Sequence, residues 1–277
     1  MPNANHGNQL SNDDYRYESI SMGLMFDDMR FSKNGVQPGQ IVPNFDVFTT
    51  EGEKLKLYDL SAGKPLLLVT GSLTCPMTIS SIPSVSDLHR KLGDKVNIVL
   101  VYVREAHPGE KVPQPKSLAE KIEHAMQLKK VYGTQFPIIV DGIDGELHRA
   151  LDIMPNSAHL IDRQGKLLFR SLSATDNASL EQALAAINKR EPLKKTQSQR
   201  LLVPILGSAG FMNGTFTVAG ARAHREMIIS ALPVYLLSLT SSLFFFLPEH
   251  KRGAMGLITM LSAAAIGAWA IYRTWFT

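Results

Sequence analysis

The stretch of sequence that decides the fold runs from Leu66 to Thr78 and reads LLLVTGSLTCPMT. Its first residues are apolar or β-branched, which predicts a buried parallel strand, and Gly-Ser then ends that strand. Pro76 follows Cys75 and is well suited to the first position of a helix. The sequence therefore predicts a strand, a sharp turn and a helix, with Cys75 at the N-terminus of the helix.

Cys75 is the only cysteine in the chain. The N–H groups and the positive dipole end of a helix N-terminus favour the thiolate, which is the nucleophilic form of cysteine. A buried structural cysteine is the alternative, since cysteine is among the most buried residue types. A single cysteine excludes an internal disulfide and fits a reducing compartment.

Strands and helices alternate along residues 35–190. Strand patterns occur at 96–103, 136–140, 158–161 and 166–169, and helical patterns occur at 75–92, 117–132, 144–151 and 176–189. Residues 45–49 and 54–57 predict a hairpin before the first central strand, and Pro83 predicts a kink or an interruption in the first helix. This order, closed by a hairpin and a helix, predicts an α/β thioredoxin-like domain with a central mixed sheet flanked by helices.

Residues 1–34 form an N-terminal tail in this interpretation. Residues 1–17 are rich in Asn and Asp, and we expect them to be disordered. Residues 20–30 predict a short amphipathic helix with Leu24, Met25 and Met29 on one side. The tail has no apolar core, so no signal peptide is expected.

The C-terminal part of the chain has a different composition. Residues 191–226 form a basic linker and an apolar connector, and 227–247 and 254–272 carry no charge. Each of these two stretches is long enough to cross a hydrocarbon core of about 30 Å. Residues 201–220 contain Pro204 and four glycines, which favours an interfacial connector over a spanning helix.

We therefore expect a C-terminal transmembrane helical hairpin that turns at 248–253. The small residues at 263, 264, 267 and 268 would allow two helices to approach closely. The chain is predicted to be a multi-pass membrane protein of two helices, with its α/β domain on the cytoplasmic side.

The net charge of the chain is a modest +4, and many of the basic residues lie between Lys189 and Arg225, just before the apolar region. This placement favours anionic lipid headgroups as a partner. No base-reading motif supports binding to nucleic acid.

Three motifs follow each other at a characteristic spacing. They are GSLTCP at 71–76, LVYVREAHP at 100–108 and Val-Asp at 140–141. In these motifs the chain resembles the iodothyronine deiodinases and their bacterial relatives within the thioredoxin-fold redoxins, from about residue 40 to 188. The vertebrate enzymes carry selenocysteine where this chain has Cys75. Because cysteine is a weaker nucleophile and leaving group, the resemblance implies a slower or different reaction.

The resemblance implies catalytic roles for Cys75, Glu105, His107 and His124. Residue chemistry agrees, because in reductive dehalogenation a thiolate takes the halogen and the carbon must then receive a proton. A histidine held by a carboxylate is a natural proton donor. We expect Cys75 to be the nucleophile, His107 the proton donor positioned by Glu105, and His124 a second relay or substrate contact.

Five further residues are expected to line the site: Ser72, Thr74, Pro76, Thr78 and Pro155. Pro155 stands just before a strand and is a candidate for the cis-proline that faces the cysteine in this fold. The other histidines, at 89, 148 and 159, are expected to be structural or solvated.

Two features depart from the family pattern. The substrate-clamping arginine of the family has no counterpart at Ser157 or Ala158, although Arg149 or Arg163 could substitute. The membrane anchor is N-terminal in the vertebrate enzymes, whereas the apolar stretches lie at the C-terminal end here.

Two other functions remain open. The first is a single-cysteine peroxiredoxin-like peroxidase. The peroxiredoxin motif, however, requires Pro where this chain has Leu68 and Thr where it has Ser72. A non-enzymatic membrane adaptor that uses the redoxin domain as a scaffold is the second. Thioredoxin activity is excluded, since Thr78 occupies the position of the second cysteine. With one cysteine, either chemistry needs an outside thiol such as thioredoxin or glutathione, and no metal or organic cofactor is expected. The resemblance also implies a homodimer.

Overall fold

The computed structural model describes residues 15–27, 29–189 and 191–276. Its strands are β1 Asp46–Thr49, β2 Lys54–Lys56, β3 Leu66–Gly71, β4 Asn97–Tyr102, β5 Ile138–Asp141, β6 Ala158–Ile161, β7 Leu167–Ser171 and β8 Gln197–Ser198. Its α-helices are α1 Met22–Asp27, α2 Pro76–Leu92, α3 Leu118–Tyr132, α4 Glu146–Leu151, α5 Asn177–Lys189, α6 Leu202–Ala219, α7 Ala221–Ser242 and α8 Glu249–Phe276. A 3-10 helix covers Leu57–Ser61.

The strands form one mixed sheet in the order β2-β1-β5-β4-β3-β6-β7-β8. The central strands β3, β4 and β5 are parallel, and β6 and β1 join them in antiparallel orientation. The predicted hairpins β1–β2 and β6–β7 are confirmed. Helices flank this sheet, and the fold is thioredoxin-like, as predicted.

The carboxyl ends of β3 and β4 lie side by side at the centre of the sheet. Gly71, the last residue of β3, pairs with Tyr102, the last residue of β4. The two loops that follow, 72–75 and 103–110, therefore leave the sheet next to each other. Because β3 is buried along its whole length, the position of these loops is set by core packing.

Helix α2 begins at Pro76 with Cys75 as its N-cap residue, as predicted. The predicted interruption at Pro83 is wrong, since α2 continues to Leu92. Pro83 lies on the exposed side of the helix, where solvent can reach the carbonyl group that loses its amide partner. Helix α3 begins as expected, with the hydroxyl of Ser117 accepting a hydrogen bond from the amide of Glu120 at 3.2 Å.

The expectation of disorder falls mainly on residues 1–14, which lie outside the described residues. It is wrong for Tyr15 and Tyr17, which are buried. The guanidinium of Arg104 lies 5.1 Å from the ring centroid of Tyr15 and 4.8 Å from that of Tyr17. Cation–π contact with a buried arginine therefore orders this segment. Helix α1 lies within the stretch predicted to be helical.

The C-terminal helices differ from the predicted hairpin. Residues 202–219, predicted to be a connector, form helix α6, whereas 227–247 do not form one unbroken helix. The backbone is non-helical at Ala231, two residues before Pro233, because proline cannot donate an amide hydrogen bond and its ring clashes with the preceding turn. The chain reverses before Glu249, whose carboxylate suits the first turn of α8.

Two described helices are long and apolar enough to cross a membrane, namely Leu202–Ala219 and Glu249–Trp275. The chain therefore has two C-terminal apolar helices, as predicted, but the first is α6.

The close approach between helices occurs at different small residues from those predicted. A Cβ atom on Gly210 would lie 2.1 Å from the carbonyl oxygen of Glu249, and one on Gly253 would lie 1.9 Å from that of Leu206. These glycines let α6 and α8 pack backbone against backbone. The predicted small residues at 263–268 are exposed instead.

Candidate active site

Cys75 lies where the two central loops meet. Its side chain is only 2% exposed, and its backbone carbonyl accepts a hydrogen bond from the amide of Ile79 at 3.1 Å, within the first turn of α2. The side chain lies on the wall of a cavity of about 170 Å³. The cysteine is therefore buried, but it lines an open space within the protein.

The cavity contains the side chain of His107 as well as that of Cys75. From the thioredoxin-like domain it also includes Pro76, Met77, Ala106, Met154 and Pro155. The opposite wall comes from the segment around α1 and from α6 and α7. The nucleophile predicted from sequence and the predicted proton donor thus face the same space.

Glu105 is fully buried behind this wall. Its Oε2 accepts hydrogen bonds from the amide of Thr74 at 3.1 Å and from the Thr74 hydroxyl at 2.7 Å. Its Oε1 accepts a hydrogen bond from the hydroxyl of Tyr102 and lies 3.1 Å from Nδ1 of His124. The carboxylate therefore joins the loop after β3, the end of β4 and helix α3.

His124 is the hydrogen-bonded partner of this carboxylate. Burial alone would lower the pKa of His124, but the hydrogen bond and the charge of Glu105, helped by Glu123 and Glu120, outweigh burial and raise it. The imidazole side chain is 12% exposed. His124 consequently connects the buried carboxylate to the surface of the domain.

His107 has a different environment. Burial lowers the pKa of His107 to about 4, so its imidazole is neutral at pH 7. Its ring meets the ring of Phe216 edge to face, with 5.1 Å between centroids, and its Nδ1 is buried with no hydrogen-bond partner among the described residues. The imidazole of His107 is therefore neutral and lies in apolar surroundings at the cavity wall.

The family model of iodothyronine deiodinase matches residues 9–191, which is more than half of the chain. The chain belongs to the iodothyronine deiodinase family. It is 31% identical over 117 residues to a thyroxine 5-deiodinase of Gallus gallus, a match that covers 38% of this chain and 45% of that protein. The chain therefore spans less than half the length of this curated relative.

Two further proteins are similar to this deiodinase-family chain. A thioredoxin-like protein of Bacillus subtilis, YneN, is 27% identical over 153 residues, with 54% of this chain and 80% of that protein covered. The crystal structure of a conserved protein from Geobacillus kaustophilus superposes with a TM-score of 0.48 at 17% identity, over 60% of this chain and 89% of that chain. Membership of the deiodinase family supports a thiol redox function.

The four residues expected to be catalytic are arranged in two layers. Cys75 and His107 line the cavity, whereas Glu105 and His124 form a pair behind it. The expectation that Glu105 holds His107 is wrong, because the imidazole beside its carboxylate is that of His124. Glu105 is linked to His107 only through Thr74. The Thr74 hydroxyl donates a hydrogen bond to Glu105 and accepts one from the backbone amide of His107 at 3.1 Å.

Of the five residues expected to line the site, Pro76 and Pro155 lie on the cavity wall. The expectation is wrong for Ser72, Thr74 and Thr78, which are buried behind it. Their hydroxyl groups satisfy the backbone of the turn instead. The Ser72 hydroxyl accepts the amide of Ala106 at 3.3 Å, and the Thr78 hydroxyl donates to the carbonyl of Pro155 at 3.2 Å.

Pro155 does not have the cis peptide bond that its position suggested. The described residues contain no cis peptide bond. The residue nevertheless reaches the cavity, because the hydrogen bond from Thr78 holds its carbonyl against the start of α2.

Neither arginine considered as a substitute for the family's substrate clamp lines the cavity. The guanidinium of Arg149 lies 6.0 Å from the ring centroid of Tyr15, and Arg163 is exposed in the β6–β7 turn. His148 is buried between the Tyr15 hydroxyl and the carbonyl of Met154, each 2.9 Å away. Its role is structural in this arrangement.

Sequence reasoning missed Tyr102 and Phe216. Tyr102 is the last residue of β4 and stands three positions before Glu105, and this closeness in sequence is the signal that could have found it. Phe216 lies more than a hundred positions away from His107, and no local pattern signals their contact.

No group of three or more His, Cys, Asp or Glu side chains that could hold a metal ion occurs within 15–27, 29–189 and 191–276.

Proposed function

We propose that this chain is a membrane-anchored thiol oxidoreductase that reductively dehalogenates aromatic substrates through Cys75. The observation that carries the proposal is that Cys75, at the N-terminus of α2, and the neutral imidazole of His107 line one apolar cavity. Membership of the deiodinase family supports the same chemistry. The long apolar helix α8, which is almost entirely exposed, supports the membrane anchor.

The first step moves one proton and one halogen. The Cys75 thiol gives its proton to the imidazole of His107, and the resulting thiolate attacks the halogen of an aryl halide. The carbon–halogen bond breaks, the carbon keeps its electron pair and accepts the proton from the imidazolium. The products are the dehalogenated ring and a sulfenyl halide on Cys75, so the cysteine has been oxidised by two electrons and the ring reduced by two.

The low pKa of His107 suits this role. The neutral imidazole of His107 carries the lone pair that accepts the thiol proton, and the N-terminus of α2 favours the thiolate that this transfer leaves. Once protonated in the same apolar surroundings, it is a strong acid, because burial disfavours the charged form. The imidazolium therefore has a strong tendency to give its proton to carbon.

Glu105 and His124 act as positioning residues in this proposal. The carboxylate fixes the amide and hydroxyl of Thr74, the residue that precedes the nucleophile. The same hydroxyl accepts a hydrogen bond from the backbone amide of His107. Removing the carboxylate would therefore displace both reacting groups by a small distance, which is enough to slow a reaction.

The cycle ends with an external thiol. One thiol of a reductant such as thioredoxin or glutathione attacks the Cys75 sulfenyl halide, releases halide and forms a mixed disulfide. A second thiol reduces the mixed disulfide and restores Cys75.

The test compares three forms of the full-length protein, namely wild type, Cys75→Ala and His107→Ala, with 4-iodophenol and with hydrogen peroxide as substrates. The proposal predicts iodide release that needs dithiothreitol and is lost in both variants. Peroxide consumption that is lost in both variants, without iodide release, would instead identify a single-cysteine peroxidase. If neither iodide release nor peroxide consumption differs between wild type and the two variants, only a scaffold role remains, and the proposal is contradicted.

A further inference from the structure

We infer, on the basis of the proposed function, that the C-terminal helices complete the substrate pocket and that this pocket selects uncharged, lipophilic aromatic substrates. The helices would then be part of the active site as well as an anchor.

The cavity has one wall from outside the thioredoxin-like domain. Helix α6 contributes Ile205, Ser208, Met212 and Phe216, and α7 contributes Met227 and Val234. Ile20, Met25 and Met29 from the segment around α1 close the remaining side. Without these elements Cys75 and His107 would face solvent. The pocket therefore exists only when the C-terminal helices are docked.

The electrostatics of the cavity disfavour a charged ligand. Among the described residues that line it, none is Asp, Glu, Lys or Arg, and His107 is neutral at pH 7 because burial lowers its pKa to about 4. A carboxylate or an ammonium group would leave water without gaining a counter-ion, which is strongly unfavourable. A substrate with a free amino-acid end is therefore a poor fit.

The lining is unusually rich in methionine. Six of the eleven methionines of the chain line this one cavity. Methionine side chains are flexible and polarizable, and their sulfur atoms make favourable contacts with aromatic rings. Together with the ring of Phe216, they form a surface that can adapt to aromatic ligands of different shape.

The loop after β4, which carries His107 and is called the catalytic loop below, is hydrogen-bonded to the junction of α6 and α7. The carboxylate of Glu110 accepts hydrogen bonds from two backbone amides at the N-terminus of α7. The amide of Ala221 donates at 2.5 Å and that of Arg222 at 2.8 Å. The amide of Lys111 donates to the carbonyl of Ala219 at 3.0 Å. Because this loop also carries His107, docking of the helices and placement of the imidazole are coupled.

The experiment uses the fact that Cys75 is the only cysteine, so alkylation by N-ethylmaleimide reports on this site alone. Full-length protein in phosphatidylcholine nanodiscs is alkylated in the presence of 4-iodophenol or of 4-iodobenzoate. Both probes carry an iodinated ring, but at neutral pH the phenol is uncharged and the benzoate is an anion. We expect 4-iodophenol to protect Cys75 at a concentration at least tenfold lower. Equal protection by the two probes, or none by either, would overturn the inference.

A pair of variants tests the assignment of the wall. Met212→Lys places a cation in the cavity and should reverse the preference toward 4-iodobenzoate. Val203→Lys is the matched control, because it lies on the same helix but is 76% exposed and outside the cavity. The control should keep the wild-type preference. If Met212→Lys does not fold, the comparison of the two probes on the wild type still decides the matter.

The outcome is separate from that of the proposed function. Protection by 4-iodophenol without iodide release would support the pocket and contradict dehalogenation. Iodide release with equal protection by both probes would support dehalogenation and contradict the pocket.

Discussion

The carboxylate of Glu105 and the imidazole of His124 face each other across 3.1 Å, one at the end of β4 and the other on α3. The carboxylate has no exposed surface, while the imidazole side chain is 12% exposed. A buried carboxylate is tolerated only when its oxygens are fully used, and here Thr74 and Tyr102 supply the other hydrogen bonds. The pair thus ties together the elements that carry the reacting groups.

Replacing Glu105 by Gln should lower the pKa of His124. The wild-type pKa is raised because Glu105 outweighs the effect of burial, and the amide removes the charge that does so. The expected loss of stability is roughly 1–3 kcal/mol, since charge-assisted hydrogen bonds become neutral ones. NMR titration of His124 measures the pKa, and an unchanged value would refute the assigned partner.

The same pair predicts how stability depends on pH. Because the pKa of folded His124 is raised, its contribution to stability is complete below the pKa of the unfolded chain, about 6.5, and is lost as pH rises through the folded value. The difference in unfolding free energy between wild type and His124→Gln should therefore shrink from pH 6 to pH 8.5. A difference that grows over this range would contradict the raised pKa.

Thr74→Val should destabilise the protein by about 1.5–3 kcal/mol, the range for a hydrogen bond to a charged group. The substitution removes the 2.7 Å bond from the Thr74 hydroxyl to Glu105 inside the protein. Thr50→Val is the matched control, because the Thr50 hydroxyl donates to the exposed Glu51 at 2.8 Å and water can replace it. Denaturant unfolding of both variants should show a clearly larger loss for Thr74, and equal losses would argue against a special role for Glu105.

His107 and His159 should both weaken the fold in acid. Burial lowers the pKa of His107 to about 4 and that of His159 to about 3, so the unfolded chain binds more protons than the folded chain below pH 6.5. Stability must then fall as pH falls from 6.5 toward 4, by up to about 1.4 kcal/mol per pH unit for each histidine.

The His→Gln variants at these two positions separate stability from catalysis. Each should flatten the acid side of the stability curve, whereas only His107→Gln should reduce iodide release, by about 10²- to 10⁴-fold. A similar loss of activity in His159→Gln would show that the effect is not specific to the cavity.

Gly109→Ala should separate the catalytic loop from the C-terminal helices. A Cβ atom at this position would lie 2.1 Å from the carbonyl oxygen of Ala219, and neither backbone can move without breaking contacts. The expected cost is roughly 1–3 kcal/mol, with a loss of activity. Gly142→Ala is the control, since nothing lies within 4 Å of its Cβ position, and it should stay within about 0.5 kcal/mol of wild type. Thermal unfolding and iodide release would report both effects.

Local sequence signals predicted the thioredoxin-like domain because each of its elements is encoded where it forms. The apolar run of β3, the N-cap of α3 at Ser117 and the β6–β7 turn depend on neighbours within a few residues. The family motif likewise placed Cys75 and His107 at adjacent strand ends, where the structure brings them to one cavity.

The remaining features depend on contacts that are distant in sequence. Glu105 pairs with His124 rather than His107 because helix α3 crosses behind the loop, and a two-residue spacing cannot show this. Helix α6 contains glycines, which locally predict a break in a helix. In the structure, Gly210 instead allows the backbone of α8 to pack closely against α6. The pocket wall from α6 and α7 depends on how these helices dock, which no local pattern encodes.

A single-turnover reaction tests the central claim most directly. Reduced full-length protein is mixed anaerobically with excess 4-iodophenol in the absence of any other thiol, and the phenol formed is counted per Cys75. We predict close to one phenol per cysteine, with equivalent loss of the Cys75 thiol and no phenol from Cys75→Ala. No phenol from the wild type, or the same amount from Cys75→Ala, would contradict the account.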